Sequence, residues 1–509
     1  MTDDGAAFGT TRIEGGVDAI VLGDAPDGVV AAAYLARAGL RTVLLEAASA
    51  SQKPAPQDPD GKFLSGEHLF HALDPQMIDD LDLYSCGVAY AARRLGVAYY
   101  FEDGELLKLG GDLRAAAQDA EPDGDAFMRF VTDAFEASSF LRPVLSGPPG
   151  VNAQFRTALG AASPRLVNLI ERWMTQSAES VIGDYFPDGA VKTAMLAEAA
   201  FRSAAPPYEP MSASPLLARW SGEIAGLQGA VGYAQGGAGS IVDALRRAAQ
   251  KAKVEFRAAS PIARILIEKD RAAGVEFDTG NQLRAPIVVA ALDADTTYRK
   301  LIGSALLDRS FQRAISMRKR TISTAHLTLT LSDAPASAGE TLDLRRRLMV
   351  APPIERLRQA FIEAANGDVP DALIVEAIFE DAFDDETPGG RRLSLLAHPA
   401  PQIRADDDAR RDVLRNAILS AAETFAPDIR SLIESDRLLT IASSPASGAF
   451  AGREGVYRQL SQAANVVSAG MIGGLYFCGP EAQIGYGVNG AAGRNAALAA
   501  LNKTARAAA

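Results

Sequence analysis

The N-terminal part of the chain shows short apolar runs separated by glycine. The apolar run Ala19 to Leu22 ends at Gly23, as a buried parallel strand does. Val29 to Ala38 is rich in small apolar residues and predicts a helix that packs closely on a sheet, and Arg41 to Leu45 predicts a second strand. Glu46 follows that strand, 23 residues after Gly23, where a carboxylate can accept hydrogen bonds from a ribose. This order of elements is typical of a dinucleotide-binding βαβ unit.

The turn between the first strand and the helix has an altered glycine pattern. Gly23 and Gly28 occupy the first and third glycine positions of G-x-G-x-x-G, but Ala25 occupies the second, where glycine lets the backbone approach a pyrophosphate. Asp24 and Asp27 flank this position. A carboxylate ~4 Å from a phosphate charge would repel it by about 1 kcal/mol in water and by ~4 kcal/mol at a protein surface. We therefore expect either weakened phosphate binding or carboxylates that point away from the phosphates.

A second region with alternating strands and helices begins near Gly232. A cluster of glycines precedes a predicted helix from about Ser240 to Lys251 and a short strand from Val254 to Arg257. Turn-forming residues divide positions 262–285 into further short strands, and Ile287 to Ala291 predicts another buried strand. The region therefore predicts a second βαβ unit whose last crossover is a three-stranded meander.

The remaining segments differ from one another in pattern. Apolar residues at helical spacing dominate residues 74–200, whereas residues 306–440 predict an antiparallel sheet with covering helices. Residues 473–501 give a strand, a glycine-rich loop and an alanine-rich helix. We predict an α/β fold, with a Rossmann-like FAD/NAD(P)-binding domain built from separated segments and an inserted α+β substrate domain. The predicted boundaries are 17–73, 228–305 and 440–503 for the nucleotide-binding domain, 74–227 and 306–439 for the substrate domain, and 1–16 for a flexible N-terminus.

The composition argues against several kinds of function and location. The 509-residue chain has a formal net charge of −12, which argues against a nucleic-acid partner because phosphate binding needs clustered Lys and Arg. Its two cysteines fit a reducing compartment rather than a disulfide framework. No apolar stretch reaches the ~18 residues of a membrane span, and no secretory signal is visible. We expect a cytoplasmic protein; peripheral contact with a membrane and the oligomeric state stay open.

Three glycine-rich segments together resemble one family of flavoproteins. The start, GDAPDGVVAAAYLARAG, is similar to the family pattern GAGPNGLVAAAYLARAG, and the middle, GGAGSIVDAL, is similar to GGMG-S/A-x-x-x-A-L followed by a strand. The end, LYFCGPEAQIGYGVNGAAGRNAA, is similar to LYLCGAGTHPGGGVxGAAGRNAA. In this order the segments resemble the phytoene-desaturase-like branch of FAD-dependent oxidoreductases, which includes phytoene dehydrogenase-related proteins and carotenoid isomerases.

The resemblance implies FAD as the cofactor and an apolar small molecule as the substrate. In this family the flavin does the redox chemistry, and the protein positions the reacting bond against it and excludes water. The residues implied at the cofactor are Gly23, Ala25 and Gly28 along the pyrophosphate, Glu46 at the adenosine ribose, Val254 at the adenine, Gly479 and Glu481 at the ribityl chain, and Gly487, Val488 and Asn489 beside the isoalloxazine ring.

The sequence does not single out a catalytic acid or base. The histidines are scattered, without the spacing of a metal site. His326 lies in an alternating strand and is expected to be a packed or surface residue. His68 and His71 are one helical turn apart, and analogy with the family leaves a place near the flavin open for them. Cys478 is expected to be a small buried residue.

Three functions stay open at this point. The first is a FAD-dependent oxidoreductase that oxidises or isomerises an apolar substrate by hydride transfer to flavin. The second is an amine-oxidase-like flavoenzyme with the same fold. The third is a cofactor-free or non-catalytic relative that acts as a binding or assembly protein. Asp24, Ala25, Tyr486 and the absence of a Gly-Gly pair after Glu46 suggest this third possibility, because several cofactor-contacting positions are altered together.

Overall fold

The computed structural model describes most of the chain. The described residues are 16–46, 68–146, 157–203, 205–258, 261–307, 309–317, 322–337, 341–384, 389–404, 406–442, 472–482 and 490–508. The predicted flexible segment up to residue 15 lies outside them, as do Tyr486 and three predicted cofactor contacts, Gly487, Val488 and Asn489.

The strands in chain order are β1 (Ala19–Leu22), β2 (Thr42–Glu46), β3 (Tyr90–Ala92), β4 (Val97–Tyr100), β5 (Leu106–Leu109), β6 (Glu223–Ile224), β7 (Leu227–Gln228), β8 (Tyr233–Ala234), β9 (Glu255–Ala258), β10 (Ile262–Glu268), β11 (Arg271–Phe277), β12 (Gln282–Arg284), β13 (Ile287–Ala290), β14 (Ile322–Leu331), β15 (Arg347–Val350), β16 (Ile374–Phe379), β17 (Arg392–Pro401), β18 (Ile433–Ala442) and β19 (Leu475–Phe477).

The α-helices are α1 (Pro26–Arg37), α2 (Pro75–Asp80), α3 (Leu113–Asp119), α4 (Gly124–Ser146), α5 (Pro164–Thr175), α6 (Ala178–Gly183), α7 (Ala190–Ala200), α8 (Ser214–Trp220), α9 (Ala238–Lys251), α10 (Arg309–Met317), α11 (Ile354–Asn366), α12 (Asp408–Ala422), α13 (Ile429–Leu432) and α14 (Ala491–Ala508). A π-helix covers Asp295–Gly303, and 3-10 helices cover Ser304–Leu306, Glu380–Phe383 and Pro480–Ala482. Among the described residues, no helix is long and apolar enough to cross a membrane.

Three separated stretches of the chain build one parallel sheet. Its strand order is β19-β13-β1-β2-β9, and all neighbouring pairs are parallel. The central strands β1 and β13 are buried along their whole length, which explains their uninterrupted apolar sequence. Helix α1 packs against both α9 and α14, and all three contribute to the core around this sheet. The predicted Rossmann-type fold is confirmed, and the predicted meander is the antiparallel sheet β10-β11-β12.

The second large sheet has seven strands in the order β18-β14-β17-β16-β15-β4-β5. The antiparallel sheet predicted for residues 306–440 is its main part. Residues 90–109, predicted within a helical segment, instead form three strands, of which β4 lies parallel to β15. The run from Val97 to Tyr100 is β-branched and aromatic and lies between Gly96 and Gly104, and such runs favour a strand.

The two faces of the seven-stranded sheet differ in chemistry. Leu, Val and Ala side chains on one face pack in an apolar core against α12. The opposite face carries Tyr99, Arg347, Glu376 and Ser394, and α7 and α8 bring charged residues onto it. This second face is therefore a buried polar layer within the predicted substrate domain.

Candidate cofactor-binding site

The loops at the carboxyl ends of the parallel strands meet with very little space between their backbones. Gly23 has a φ of +101°, a conformation that favours glycine. A Cβ on Gly28 would collide with the carbonyl oxygen of Gly23, and a Cβ on Gly479 would collide with the carbonyl oxygen of Leu292. Glu46 ends β2 at the same edge. The structure therefore brings together Gly23, Gly28, Glu46 and Gly479, at the edge where open parallel sheets bind their ligands.

The N-terminus of α1 faces this edge without a side-chain cap. The helix begins at Pro26, and its N-cap residue Ala25 has extended backbone and makes no capping hydrogen bond. The first backbone N–H groups of a helix need acceptors from outside it, and the helix dipole favours an anion there. Ala25 leaves this place open to a ligand such as a phosphate.

Asp27 serves a second helix rather than the glycine-rich turn. Its Oδ1 accepts a hydrogen bond of 2.9 Å from the backbone N–H of Gly493, in the first turn of α14. Burial raises the pKa of Asp27 to about 6, although hydrogen bonds from Gly493 and Ala492 oppose the rise. The carboxyl group is thus committed to the α14 N-terminus.

Arg246 neutralises the other aspartate. Its guanidinium donates to Asp24 Oδ2 at 2.6 Å and to Glu46 Oε1 at 2.9 Å. The same group lies 5.4 Å from the centre of the Phe256 ring, a cation–π distance. The sequence did not identify Arg246, because it lies on α9, 200 residues from Glu46 along the chain.

The other predicted contacts do not all lie at this edge. Val254 is buried and directly precedes β9, in which Glu255 pairs with Val43 and Ala258 pairs with Glu46. It therefore lies at the amino end of the parallel strands, at the opposite edge of the sheet from Glu46, and the structure does not bring it to the predicted cofactor site. Glu481 lies in the 3-10 helix that directly follows Gly479. Cys478 is buried as predicted, and burial raises the pKa of its thiol well above the usual value.

These residues fit a dinucleotide. Glycines allow the backbone segments of the turn to pack closely, as in the glycine-rich turn of a dinucleotide site. The α1 N-terminus has no side-chain cap, and the acids near it are paired. The repulsion expected from two aspartates does not arise as the sequence suggested, because Asp27 caps α14 and Asp24 is paired with Arg246. Glu46 keeps a second carboxylate oxygen that can accept a hydrogen bond from a ribose.

The four histidines of the chain are all buried in the polar layer or next to it. His68 and His71 do not lie in a helix; they belong to the extended segment in which Phe70 bridges Gly232. His68 contacts Glu376 Oε1 at 2.9 Å through Nε2. Its Nδ1 contacts Ser394 Oγ at 2.8 Å, and the same hydroxyl contacts His326 Nε2 at 2.8 Å.

Ion pairs surround this histidine chain. Arg347 binds both Glu198 and Glu376, and Arg219 also binds Glu198. Burial would raise the pKa of Glu198, but Arg219 and Arg347 hold it at about 2. A lone glutamate in the apolar run IVEAIF (374–379) is the sequence signal that could have revealed this layer.

Comparison with known proteins gives distant relatives. No family model matches the chain. It is 25% identical over 547 residues to the pyridine nucleotide-disulfide oxidoreductase domain-containing protein 2 of Mus musculus, covering 96% of this chain and 93% of that protein. It is 25% identical over 303 residues to the phytoene desaturase of Cercospora nicotianae, covering 56% and 46%. The chain is a distant homologue of these oxidoreductases.

A solved structure supports the fold. A putrescine oxidase bound to putrescine superposes with a TM-score of 0.59 at 14% identity, over 96% of this chain and 98% of that chain. At this identity the similarity concerns the fold. The predicted resemblance to the phytoene-desaturase-like branch is confirmed as weak sequence homology, and the homologues are oxidoreductases, as predicted.

Proposed function

We propose that the protein is a FAD-dependent oxidoreductase that oxidises or isomerises an apolar substrate. The observation that carries the proposal is the meeting of three separated segments at one sheet edge, where Arg246 pairs with Asp24 and Glu46 beside a helix N-terminus without a side-chain cap. A pyrophosphate site uses such exposed backbone at a helix N-terminus, and the pairing with Arg246 reduces the repulsion from the two acids. The homology to oxidoreductases supports the same conclusion.

Individual residues would hold the cofactor in distinct ways. The backbone of Gly23 and Ala25 would contact the pyrophosphate, and Glu46 would accept hydrogen bonds from the adenosine ribose. Gly479 would contact the ribityl chain, with Glu481 beside it. Gly487, Val488 and Asn489 are proposed beside the flavin ring. Bound FAD would supply the acceptor for a hydride, while the protein binds the substrate, orients it and excludes water.

An amine-oxidase-like activity is the second candidate, because the fold resembles that of a putrescine oxidase. The two candidates differ in the charge of the substrate. In the buried polar layer of the seven-stranded sheet, Glu198 and Glu376 are paired with arginines. Neither of these two glutamates is therefore free to bind the ammonium groups of a polyamine. We therefore favour a neutral, mainly apolar substrate.

An anaerobic reduction experiment tests the proposal. The FAD-loaded protein is mixed without oxygen with neutral compounds, such as polyenes and long-chain alcohols, and separately with putrescine and cyclohexylamine. We expect a neutral compound to bleach the visible flavin absorption and admission of an electron acceptor to restore it. Bleaching by the amines alone would support the amine-oxidase-like function instead. The Glu46→Ala variant, in which we expect weaker FAD binding, is the control for reduction of free flavin. Bleaching that is equally fast in this variant would come from flavin in solution and not from the protein-bound cofactor.

A further inference from the structure

The neutral side chain of His71 has an unused hydrogen-bonding atom in the protein interior. His71 is 5% exposed, and within the described part of the chain its Nδ1 atom has no hydrogen-bond partner. Leaving a buried polar atom unpaired costs about 1–3 kcal/mol, so such atoms usually face a water or a ligand. The ring nitrogens of His68 and His398 differ from this atom, because all four have partners.

The charged residues near His71 are already engaged with one another. Arg347 lies between Glu198 and Glu376, and Arg219 pairs with Glu198. Burial, and to a smaller extent Arg219, lower the pKa of His71 to about 3, so the ring is neutral at ordinary pH. Arg347 and Arg202 act in the same direction, and Glu376 opposes them. The surroundings therefore disfavour an additional positive charge.

The position of His71 is close to the proposed flavin site. Asp74, three residues further along, pairs with Arg494 at 3.4 Å, in the first turn of α14. Three residues span at most ~11 Å of extended chain, which bounds the backbone separation between His71 and Asp74. Met77, on the same segment, packs against Gly490 at the start of that helix. The segment therefore links the polar layer to the helix N-terminus expected beside the isoalloxazine ring.

We propose that His71 Nδ1 binds the single hydroxyl or carbonyl group of an otherwise apolar substrate. The inference rests on the proposed function for the placement of the substrate beside the flavin, but binding at His71 can be measured without flavin. A neutral imidazole can donate to a carbonyl or accept from a hydroxyl, depending on its tautomer. Glu198 and Glu376 are already paired with Arg219 and Arg347, so an ammonium or a carboxylate group would be buried without a free counter-ion. The site therefore selects against charged ligands.

Histidine-selective isotope labelling tests the proposal, because the chain has four histidines and the spectrum of their rings is simple. The full chain with ¹⁵N-labelled histidine is titrated with 1-octanol, octane, octylammonium and octanoate, and His71→Phe assigns the signal. We expect 1-octanol to shift the His71 ring nitrogen and to bind about fivefold more tightly than octane, the value of one net hydrogen bond. The His398 signal, whose ring nitrogens have partners, should not move.

Three results would overturn the proposal. One is an unshifted His71 signal at saturating 1-octanol, which would leave a buried water as the partner of Nδ1. The second is a larger shift, or tighter binding, with octylammonium than with 1-octanol. The third is a larger shift, or tighter binding, with octanoate than with 1-octanol. In His71→Phe, 1-octanol and octane should bind equally; if this variant does not fold, the wild-type titration still decides. Flavin binding is read separately from visible absorption, so a failure of the proposed function would be distinguishable.

Discussion

Arg246 sets the electrostatic character of the glycine-rich turn. Asp24 by itself would oppose a phosphate at the α1 N-terminus, and Arg246 offsets that charge while it also holds Glu46. The three side chains are about one-third exposed, and an exposed pair of this kind contributes only about 0–1 kcal/mol to folding. Its effect should therefore appear in cofactor binding rather than in stability.

The variant Arg246→Gln should weaken FAD binding by about tenfold or more, because the charge of Asp24 is then left facing the phosphates. Adding Asp24→Asn should restore most of the affinity. Fluorescence titration of FAD measures both effects. Arg264→Gln is the matched control, since it breaks a similar exposed pair with Glu276 on the meander. Equal affinities for wild type and Arg246→Gln would remove Arg246 from the site.

The glycine positions and Glu46 could be predicted from the sequence because their spacing is local. Arg246 could not, because its partners lie more than 190 residues away and α9 has an ordinary amphipathic pattern. The paired state of Asp24 and the capping role of Asp27 depend on such distant partners in the same way. The sequence shows that two carboxylates lie beside the turn, but only the structure shows that Asp24 contacts Arg246 and that Asp27 contacts α14.

Asp27 joins two helices of the cofactor-binding region. It lies in the first turn of α1 and caps α14, and the two helices approach so closely that a Cβ on Gly493 would collide with the Asp27 backbone. The capping carboxyl group is buried, so its ionisation costs stability. Helix packing at this junction should consequently depend on pH.

The pKa of Asp27 is about 6 in the folded chain against an ordinary value of 3.8, so the folded state favours the protonated acid. The resulting stabilisation is complete below the ordinary value and is lost as the pH rises through about 6. Relative to Asp27→Asn, the wild-type free energy of unfolding should fall by up to about 3 kcal/mol between about pH 4 and about pH 7. Urea unfolding measures the difference. A gap between the two proteins that is independent of pH would contradict the assignment.

The ion pairs of the polar layer connect the seven-stranded sheet to the helices above it. Arg347 on β15 binds Glu376 on β16 and Glu198 on α7, and Arg219 on α8 completes the group. Both glutamates are buried. Removal of one partner leaves a buried charge uncompensated, which costs much more than loss of a surface pair.

Arg347→Met should therefore lower the free energy of unfolding by about 3–5 kcal/mol. Arg356→Met is the control, because it breaks an exposed pair with Glu102 and should change stability by no more than about 1 kcal/mol. Chemical unfolding of the two variants gives the comparison. Similar losses in both would show that the buried pairs do not fasten the sheet to the helices.

The strands of this sheet were predicted where alternation was regular, as in β14. The strands β3 to β5 were missed, because they are short and lie among helical patterns, and β4 is held by its parallel neighbour β15 rather than by a local turn. The polar layer was also missed. Its members come from four strands and two helices that are far apart in the chain, so no local pattern reveals that they meet.

The architecture of the molecule depends on three distant segments that converge on one parallel sheet. β1, β13 and β19 are adjacent strands although they are separated by hundreds of residues. The order of the glycine motifs allowed this convergence to be predicted, because the first and last motifs follow strands and the middle one begins a helix, as in a nucleotide-binding fold. Whether the resulting cradle holds a flavin is the central claim about function.

The most direct test of that claim is a titration of the purified chain with FAD, followed by calorimetry and by thermal unfolding. We predict binding of one FAD per chain and an unfolding temperature that rises with FAD concentration, as expected for a ligand that binds the folded state. NAD at the same concentrations is the control for non-specific nucleotide binding. No uptake of FAD, with an unfolding temperature that does not change, would contradict the flavoenzyme account and favour the cofactor-free binding protein.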